Sequence, residues 1–158
     1  MSDSVRRAWG RAAGVLVLVV TADQLTKGWV DSAIPRGDSR SVFLGVEFVN
    51  VRNKGVAFGF LAGGGAIVAV VTASALALLV VWFALHSARA LIWLPTGLLL
   101  GGAIGNLVDR ARLGAVRDFI DLPLWPAFNI ADAAITFGVL ALLYVLETSR
   151  DGDGARSA

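Results

Sequence analysis

The chain lacks cysteine, has a single histidine, His86, and carries charge on only 16% of its 158 residues. Without cysteine it has no disulfide, no thiolate zinc site and no cysteine nucleophile. One histidine cannot build a multi-histidine metal site, so we expect neither a metal nor a cofactor. Soluble domains carry roughly 25% charged residues. The deficit here, together with 56% hydrophobic residues, indicates a membrane protein.

The excess of basic residues is also small. The chain has 14 Lys and Arg against 12 Asp and Glu, which gives a net charge of +2. Nucleic-acid-binding domains concentrate Lys and Arg in a patch or stripe, and the sequence contains no such stripe. A chain of 158 residues fits one domain. We therefore predict a single integral membrane domain over residues 1–158 with no nucleic-acid partner.

Four apolar segments predict four membrane-spanning helices. Residues 63–85 and 90–108 contain no charged side chain, and each is long enough for the roughly 20 residues that a bilayer crossing requires. The first segment is apolar up to Ala22 and then carries Asp23 and Lys27. The predicted spans are 12–30, 63–85, 90–108 and 127–146.

The fourth span is short if it contains only apolar residues. Residues 133–146 rise about 21 Å, less than the roughly 30 Å of a hydrocarbon core. A start at Ala127 gives the required length and takes Asn129 and Asp132 into the membrane. A carboxylate at mid-membrane costs about 2.5–3.5 kcal/mol on insertion scales. Asp132 is therefore a functional candidate.

Topology gathers the unusual polar residues on one side of the membrane. In a four-span chain, the ends of the first and third spans face the same side as the starts of the second and fourth. That side receives Asp23, Lys27, Asn106, Asp109, Arg110, Asp118, Asn129 and Asp132. The basic N-terminal tail places the opposite side in the cytoplasm by the positive-inside rule, although the polar side holds more basic residues in total. Removal of residues 1–22 as a signal peptide is an alternative.

The segment 31–62 between the first two spans is not itself a span. Residues 40–62 show β-branched and aromatic residues in partial alternation and contain an Asn-Lys-Gly turn signal. We predict short strands that fold over the membrane surface there. Residues 119–128, with two prolines and Trp125, predict an interfacial loop. The predicted fold class is an all-α membrane protein of four transmembrane helices with a small extracytoplasmic β-like cradle between helices 1 and 2.

Two charged clusters lie near the ends of spans. Asp23 and Lys27 are spaced i, i+4, so they share a helix face and can partly neutralise each other. Asn106, Asp109 and Arg110 also share one face, near the end of the third span. Asp109 and Arg110 are either a simple helix-terminal pair or groups that orient a site, and their spacing leaves both interpretations open.

Asp118 and Asp132 have no basic partner that helix geometry supplies. Asp118 follows the third span and Asp132 begins the fourth, so the intervening chain can turn back and bring both to one membrane surface. Two carboxylates that share one proton have split pKa values. The ionised one can take a proton from water while the other donates to a carbonyl, which is peptide hydrolysis. A proton or cation pathway is equally compatible with the spacing.

Five motifs, in order, resemble the lipoprotein signal peptidase family, also called signal peptidase II. They are "DQLTK" at 23–27, "NKGVAFG" at 53–59, "GNLVDR" at 105–110, "GAVRDFI" at 114–120 and "FNIADAAI" at 128–135. The resemblance implies an aspartic protease of the bacterial inner membrane, with both termini cytoplasmic and the active site on the periplasmic side. It also argues against signal-peptide cleavage of this chain.

The resemblance further implies the partners of the chain. They are diacylglyceryl-modified prolipoproteins, cleaved before the lipidated cysteine, together with membrane lipids and globomycin-type inhibitors, and we expect a monomer.

The resemblance assigns Asp118 and Asp132 as the catalytic dyad. The substrate-binding and supporting residues that it implies are Asn53, Asn106, Arg110, Asn129, Asp23, Lys27, Gly55 and Asp109. Family members often have an aliphatic residue where this chain has Arg117. We expect the Arg117 side chain to point outward, toward the lipid headgroups.

Overall fold

The structure, a computed structural model, describes residues 2–54 and 64–154, with four helices and four strands. In chain order these are α1 Asp3–Ala33, β1 Ser39–Phe43, β2 Val46–Asn53, α2 Gly64–His86, α3 Trp93–Leu113, β3 Val116–Leu122, β4 Trp125–Phe128 and α4 Ile130–Gly154. The predicted site residue Gly55 lies outside the described residues.

Helices α1 and α4 expose the apolar faces that a membrane protein turns toward lipid. By length and composition, Asp3–Ala33 and Ile130–Thr148 can each cross a membrane, yet only 22% of the most apolar window of each is buried within the protein. Leu18 on α1 and Leu143 on α4 are among the exposed large side chains. Helix α2 offers a shorter apolar stretch, Val70–His86, within the part of the chain that is described.

Helix α3 packs closely against α1 and α4 through glycines. A Cβ atom at Gly97 would lie 2.7 Å from the Ala12 carbonyl oxygen, and one at Gly105 would lie 2.8 Å from Asp23 Oδ2. Small residues at helix contacts allow backbones to approach closely inside membranes. The glycines of α3 therefore bring the polar side chains of α1 within reach of those on α3.

The strands form one antiparallel sheet in the order β1-β2-β3-β4. The strands predicted within 31–62 are present as β1 and β2. The prediction of a loop at 119–128 is wrong, because β3 and β4 form a hairpin there and β3 pairs with β2. Leu124 adopts a positive φ of 65° in the turn of this hairpin. Half of the cradle thus lies between α3 and α4, not between the first two helices.

Helix α4 begins at Ile130, three residues after the predicted start of the fourth span at Ala127. The preceding residues extend the sheet as β4. Asn129 then caps the helix, because its side-chain oxygen accepts a hydrogen bond from the backbone N–H of Asp132 at 2.9 Å. The Asn129 N–H donates back to Asp132 Oδ2 at 3.3 Å, which completes a reciprocal capping arrangement.

A small apolar cluster fixes the sheet to the end of α1. Phe119 of β3 is 2% exposed and packs with Val30 and Ile34. Phe48 of β2 packs against the same cluster. Because Phe119 follows Asp118 directly, the packing of its ring also sets the position of that aspartate.

We expect Phe119→Ala to lower the free energy of unfolding by about 3 kcal/mol, through lost burial and a residual cavity. Thermal unfolding in detergent measures the change. Phe43→Ala is the matched control, since Phe43 is 69% exposed, and its effect should stay within about 0.5 kcal/mol. Equal effects of the two substitutions would contradict the proposed role of the cluster.

Candidate active site

Asp118 is a buried carboxylate on β3, with 3% of its surface exposed. Its two oxygens accept hydrogen bonds from different asparagines. Asn53 Nδ2 donates to Oδ2 at 3.0 Å, and Asn129 Nδ2 donates to Oδ1 at 2.8 Å. Asn53 ends β2 and Asn129 precedes α4, so three elements hold this carboxylate in place.

Asp132 lies in the first turn of α4. Its Oδ1 accepts a hydrogen bond of 2.7 Å from Asn106 Nδ2, and its Oδ2 accepts the Asn129 backbone N–H described above. Asn129 therefore contacts both aspartates, through its side-chain amide on Asp118 and through its backbone on Asp132. The structure brings the two predicted dyad residues to one place.

The surroundings of Asp118 favour its protonated form. Burial is the largest cause that raises the pKa of this carboxyl, and the nearby negative charge of Asp132 raises it further. Hydrogen bonds from Asn53 and Asn129 and the charge of Lys27 act in the opposite direction without cancelling the rise. A carboxyl whose pKa is raised beside a second carboxylate is the arrangement of an acid–base pair.

A fully buried ammonium group supports the site from α1. Lys27 Nζ lies 2.8 Å from Asp23 Oδ2 and 3.2 Å from Asp109 Oδ2. It also donates to Asn106 Oδ1 at 3.1 Å. The predicted pairing of Asp23 with Lys27 is confirmed. Because the side-chain oxygen of Asn106 accepts from Lys27, the NH₂ group of Asn106 faces Asp132.

Asp23 also connects α1 to α4. Its Oδ1 accepts a hydrogen bond of 3.0 Å from the backbone N–H of Ala131, one of the free donors at the start of α4. Asp23, Lys27, Asn106, Asp109 and Asn129 thus belong to one connected network around the dyad.

Arg110 does not form the helix-terminal pair with Asp109 that the sequence left open. Among the described residues, Asp109 pairs with Lys27 and Arg117, and no ion pair includes Arg110. Arg110 is half-buried near the end of α3.

The prediction that Arg117 points outward is wrong. Its side chain is only 13% exposed and turns inward, where Nη2 lies 2.6 Å from Asp109 Oδ1. Its Nη1 pairs with Asp31 at 3.1 Å, and Nη2 also donates to Gln24 Oε1. A carboxylate as buried as that of Asp109 is strongly destabilising without a cation beside it, and the guanidinium of Arg117 supplies one.

Asp31 joins two arginines that face each other across the sheet. Arg52 of β2 is the register partner of Arg117 on β3, and like charges directly opposite are destabilising. Asp31 Oδ1 accepts from Arg52 Nη2 at 2.8 Å while Oδ2 binds Arg117. Sequence analysis missed Asp31, although it follows Asp23 and Lys27 at the same four-residue interval on α1.

The site adjoins an apolar groove and contains no cluster suited to a metal. Among the described side chains, those of residues 2–54 and 70–148, no group of three or more His, Cys, Asp or Glu could hold an ion. A cavity of about 310 Å³ opens beside Asp132, and its walls include Trp125, Phe128, Thr136 and Phe137. It could accept an apolar segment next to the carboxylate.

A family model described as signal peptidase (SPase) II matches residues 15–147. The chain belongs to the signal peptidase II family. The chain is therefore a peptidase that removes signal peptides from prolipoproteins, and its family consists of membrane enzymes. The match covers every residue of the network described above.

Individual members of the signal peptidase II family agree with this assignment. The lipoprotein signal peptidase of Halothermothrix orenii is 34% identical over 88% of this chain and 97% of that protein. The lipoprotein signal peptidase of Moorella thermoacetica is 42% identical over 82% of this chain and 88% of that protein. A solved structure of a bacterial membrane enzyme, determined by the in meso method at 1.9 Å resolution, superposes with a TM-score of 0.82 at 34% identity, covering 87% of this chain and 92% of that one.

We expect Asp31→Asn to destabilise this signal peptidase by about 1 kcal/mol, after allowance for the partial exposure of its ion pairs. The substitution leaves Arg52 and Arg117 facing each other without a shared carboxylate. Removing one of the two arginines should then reduce their repulsion, so Asp31→Asn/Arg52→Gln should regain part of the lost stability. Arg52 Nε and Nη1 are buried with no hydrogen-bond partner among the described residues, which favours this recovery.

Unfolding in detergent, arranged as a double-mutant cycle, measures the coupling. Asp38→Asn is the matched control, because Asp38 is exposed and forms no ion pair within the described part of the chain. Strictly additive effects of the Asp31 and Arg52 substitutions would refute the shared-carboxylate arrangement.

Proposed function

We propose that Asp118 and Asp132 are the catalytic dyad with which the chain cleaves a prolipoprotein before its diacylglyceryl-modified cysteine. The observation that carries this proposal is the shared asparagine. Asn129 donates to Asp118 through its side chain and to Asp132 through its backbone, so it keeps the two carboxyl groups in a constant relation. Family membership supplies the reaction, and the dyad supplies groups that can perform it.

In this mechanism Asp118 holds the shared proton and Asp132 is the base. Burial and the charge of Asp132 raise the pKa of Asp118, which favours the protonated form that can donate to the scissile carbonyl oxygen. Asp132 is less buried and borders the apolar groove, where it can hold a water molecule and accept its proton. The resulting hydroxide attacks the carbonyl carbon, and no covalent enzyme intermediate forms.

Collapse of the tetrahedral intermediate reverses the two roles. The C–N bond breaks, and Asp132 returns its proton to the leaving nitrogen while Asp118 recovers a proton from the intermediate hydroxyl. Both carboxyl groups end in their starting protonation states, as catalysis requires.

The remaining predicted residues act around this pair. Asn53, Asn106 and Asn129 orient the carboxyl groups, since the side-chain amide of each donates to one of them. Arg110 is available to bind a carbonyl of the substrate backbone, because none of the described carboxylates pairs with it. Gly55 is proposed to support the site from the segment that follows β2.

Three further residues form the buried charged cluster that supports the site. They are Asp23, Lys27 and Asp109.

We further propose that residues 1–158 form one domain that crosses the bacterial inner membrane four times. Exposed apolar faces on α1 and α4 support this arrangement. Both termini then lie in the cytoplasm, while the sheet and the dyad lie at the periplasmic surface. The enzyme acts there as a monomer among membrane lipids and is inhibited by globomycin. A transport function is not favoured, because the matched family consists of peptidases.

Asp118→Asn and Asp132→Asn should each lower the cleavage rate by roughly 10²–10⁴-fold, because each removes one acid–base group. Cleavage of a diacylglyceryl-modified prolipoprotein by the purified enzyme measures the loss. Asp121→Asn is the matched control, since Asp121 lies on the same strand and contacts neither member of the dyad through a hydrogen bond. Normal cleavage by either dyad variant would refute the assignment.

The hydrogen bond from Asn53 predicts a pH effect. This bond favours the ionised form of Asp118 and lowers its pKa. Asn53→Ala removes the bond, so the pKa of Asp118 rises and the pH–rate profile of kcat/KM should move toward higher pH. Asn50→Ala is the control, because Asn50 lies on the same strand and donates to Asp31 and the Ile34 carbonyl instead. An unchanged profile, or a shift to lower pH, would contradict the expected role of Asn53.

A further inference from the structure

A polar cavity, separate from the apolar groove beside Asp132, lies at the end of the helical bundle remote from the dyad. Its volume is about 310 Å³, and its walls include Ser4, Arg7, Arg11, Ser87, Arg89 and Trp93. Arg7 belongs to α1, whose other end carries Asp31 of the active site. At 1.5 Å per residue the two positions are about 36 Å apart along the helix. This cavity is therefore separate from the site that cleaves the peptide.

The cavity concentrates positive charge without a compensating carboxylate. Three arginines line it, and no acidic residue does. Among the side chains that the structure describes, those of residues 2–54 and 70–148, no ion pair includes Arg7, Arg11 or Arg89. Neighbouring Arg6 differs, because it pairs with Asp3 at 3.0 Å. Like charges at i, i+4, such as Arg7 and Arg11, destabilise a helix slightly, so an anion bound between them would relieve the repulsion.

Tryptophans indicate the depth of this cavity in the membrane. Trp9, Trp82 and Trp93 pack around the apolar cluster at this end of the bundle, and tryptophan is enriched at the level of the lipid headgroups. The guanidinium of Arg11 lies over the ring of Trp93, 5.6 Å from its centre. Charged and aromatic groups thus meet where the phosphates of a bilayer lie.

We propose that this cavity binds the phosphate group of an anionic phospholipid. Arginine binds phosphate oxygens through two parallel hydrogen bonds, and basic pockets between membrane helices on the cytoplasmic side bind anionic headgroups. The seryl hydroxyl groups in the walls can donate to further oxygens. Leu91, 53% exposed, and Trp93 can contact the glycerol and the first carbons of the acyl chains.

This proposal rests on the proposed membrane-spanning arrangement and not on the dyad, so the two can fail separately. The test uses the purified full chain in a neutral detergent. Native mass spectrometry and a binding titration measure its affinity for phosphatidylglycerol, with phosphatidylcholine and inorganic phosphate as the comparison ligands. Cleavage of the prolipoprotein substrate in the same detergent reports on the active site.

We expect phosphatidylglycerol to bind more tightly than phosphatidylcholine. Arg11→Gln and Arg89→Gln should each weaken its binding roughly fivefold, as expected for one basic side chain at an anionic surface. Arg6→Gln is the matched control, since it makes the same change of charge five residues before Arg11, on an arginine outside the cavity. It should leave the binding of phosphatidylglycerol unchanged. Arg11→Lys keeps the charge but loses the bidentate hydrogen bonding of the guanidinium, so its affinity for phosphatidylglycerol should lie between those of the wild type and Arg11→Gln. Cleavage in lipid-free detergent should stay at the wild-type rate in all four variants.

Three results would overturn the proposal. Equal weakening by Arg6→Gln would show that diffuse surface charge attracts the lipid. Equal affinity for phosphatidylcholine would show that the anionic headgroup is not recognised. Binding of inorganic phosphate as tight as that of phosphatidylglycerol would make this a site for free phosphate and not for a lipid.

Discussion

The buried ammonium group of Lys27 is the interaction on which the rest of the site depends. A charge removed from water is tolerated only if it is paired and its hydrogen bonds are satisfied. Lys27 has three N–H donors, and its three partners are Asp23, Asp109 and Asn106. These partners lie on α1 and α3, and Asp23 also holds the N–H of Ala131 on α4. One cation therefore fixes the relative positions of three helices at the level of the dyad.

This constraint reaches the dyad through amide groups. Asn106 accepts from Lys27 with its oxygen and donates to Asp132 with its nitrogen, so the position of the ammonium group determines which way the amide faces. Asn129 also donates to the Asn106 oxygen, at 3.2 Å, and it holds Asp118 as well. Asparagine provides both a donor and an acceptor on one planar group. The carboxyl groups can thus be oriented by neutral side chains, and burial is the largest cause that raises the pKa of Asp118.

The strands bring a second constraint, which the sequence predicted only in part, through β1 and β2. The pairing of Asp23 with Lys27 could be predicted, because helix periodicity is a local property of the chain, and the family resemblance named Asp118 and Asp132 as candidates. The pairing of β3 with β2 could not be predicted. Strands β3 and β4 are short and have prolines in or beside them, and β3 pairs with an edge that a distant segment supplies. The inward direction of Arg117 could not be predicted for the same reason, because its partners Asp31 and Asp109 lie on two other elements.

The sequence by itself therefore determined the class of protein, the lack of cysteine chemistry, and two candidate aspartates, one that follows the third apolar segment and one near the start of the fourth. Composition and periodicity carry that information residue by residue. Only the tertiary structure decided which carboxylate each basic side chain meets, since Arg117 passes over its neighbour Asp118 to bind Asp109. Burial makes those partners necessary, because a buried carboxylate such as Asp109 is strongly destabilising without a cation beside it, and its burial is a property of the packed helices and sheet together.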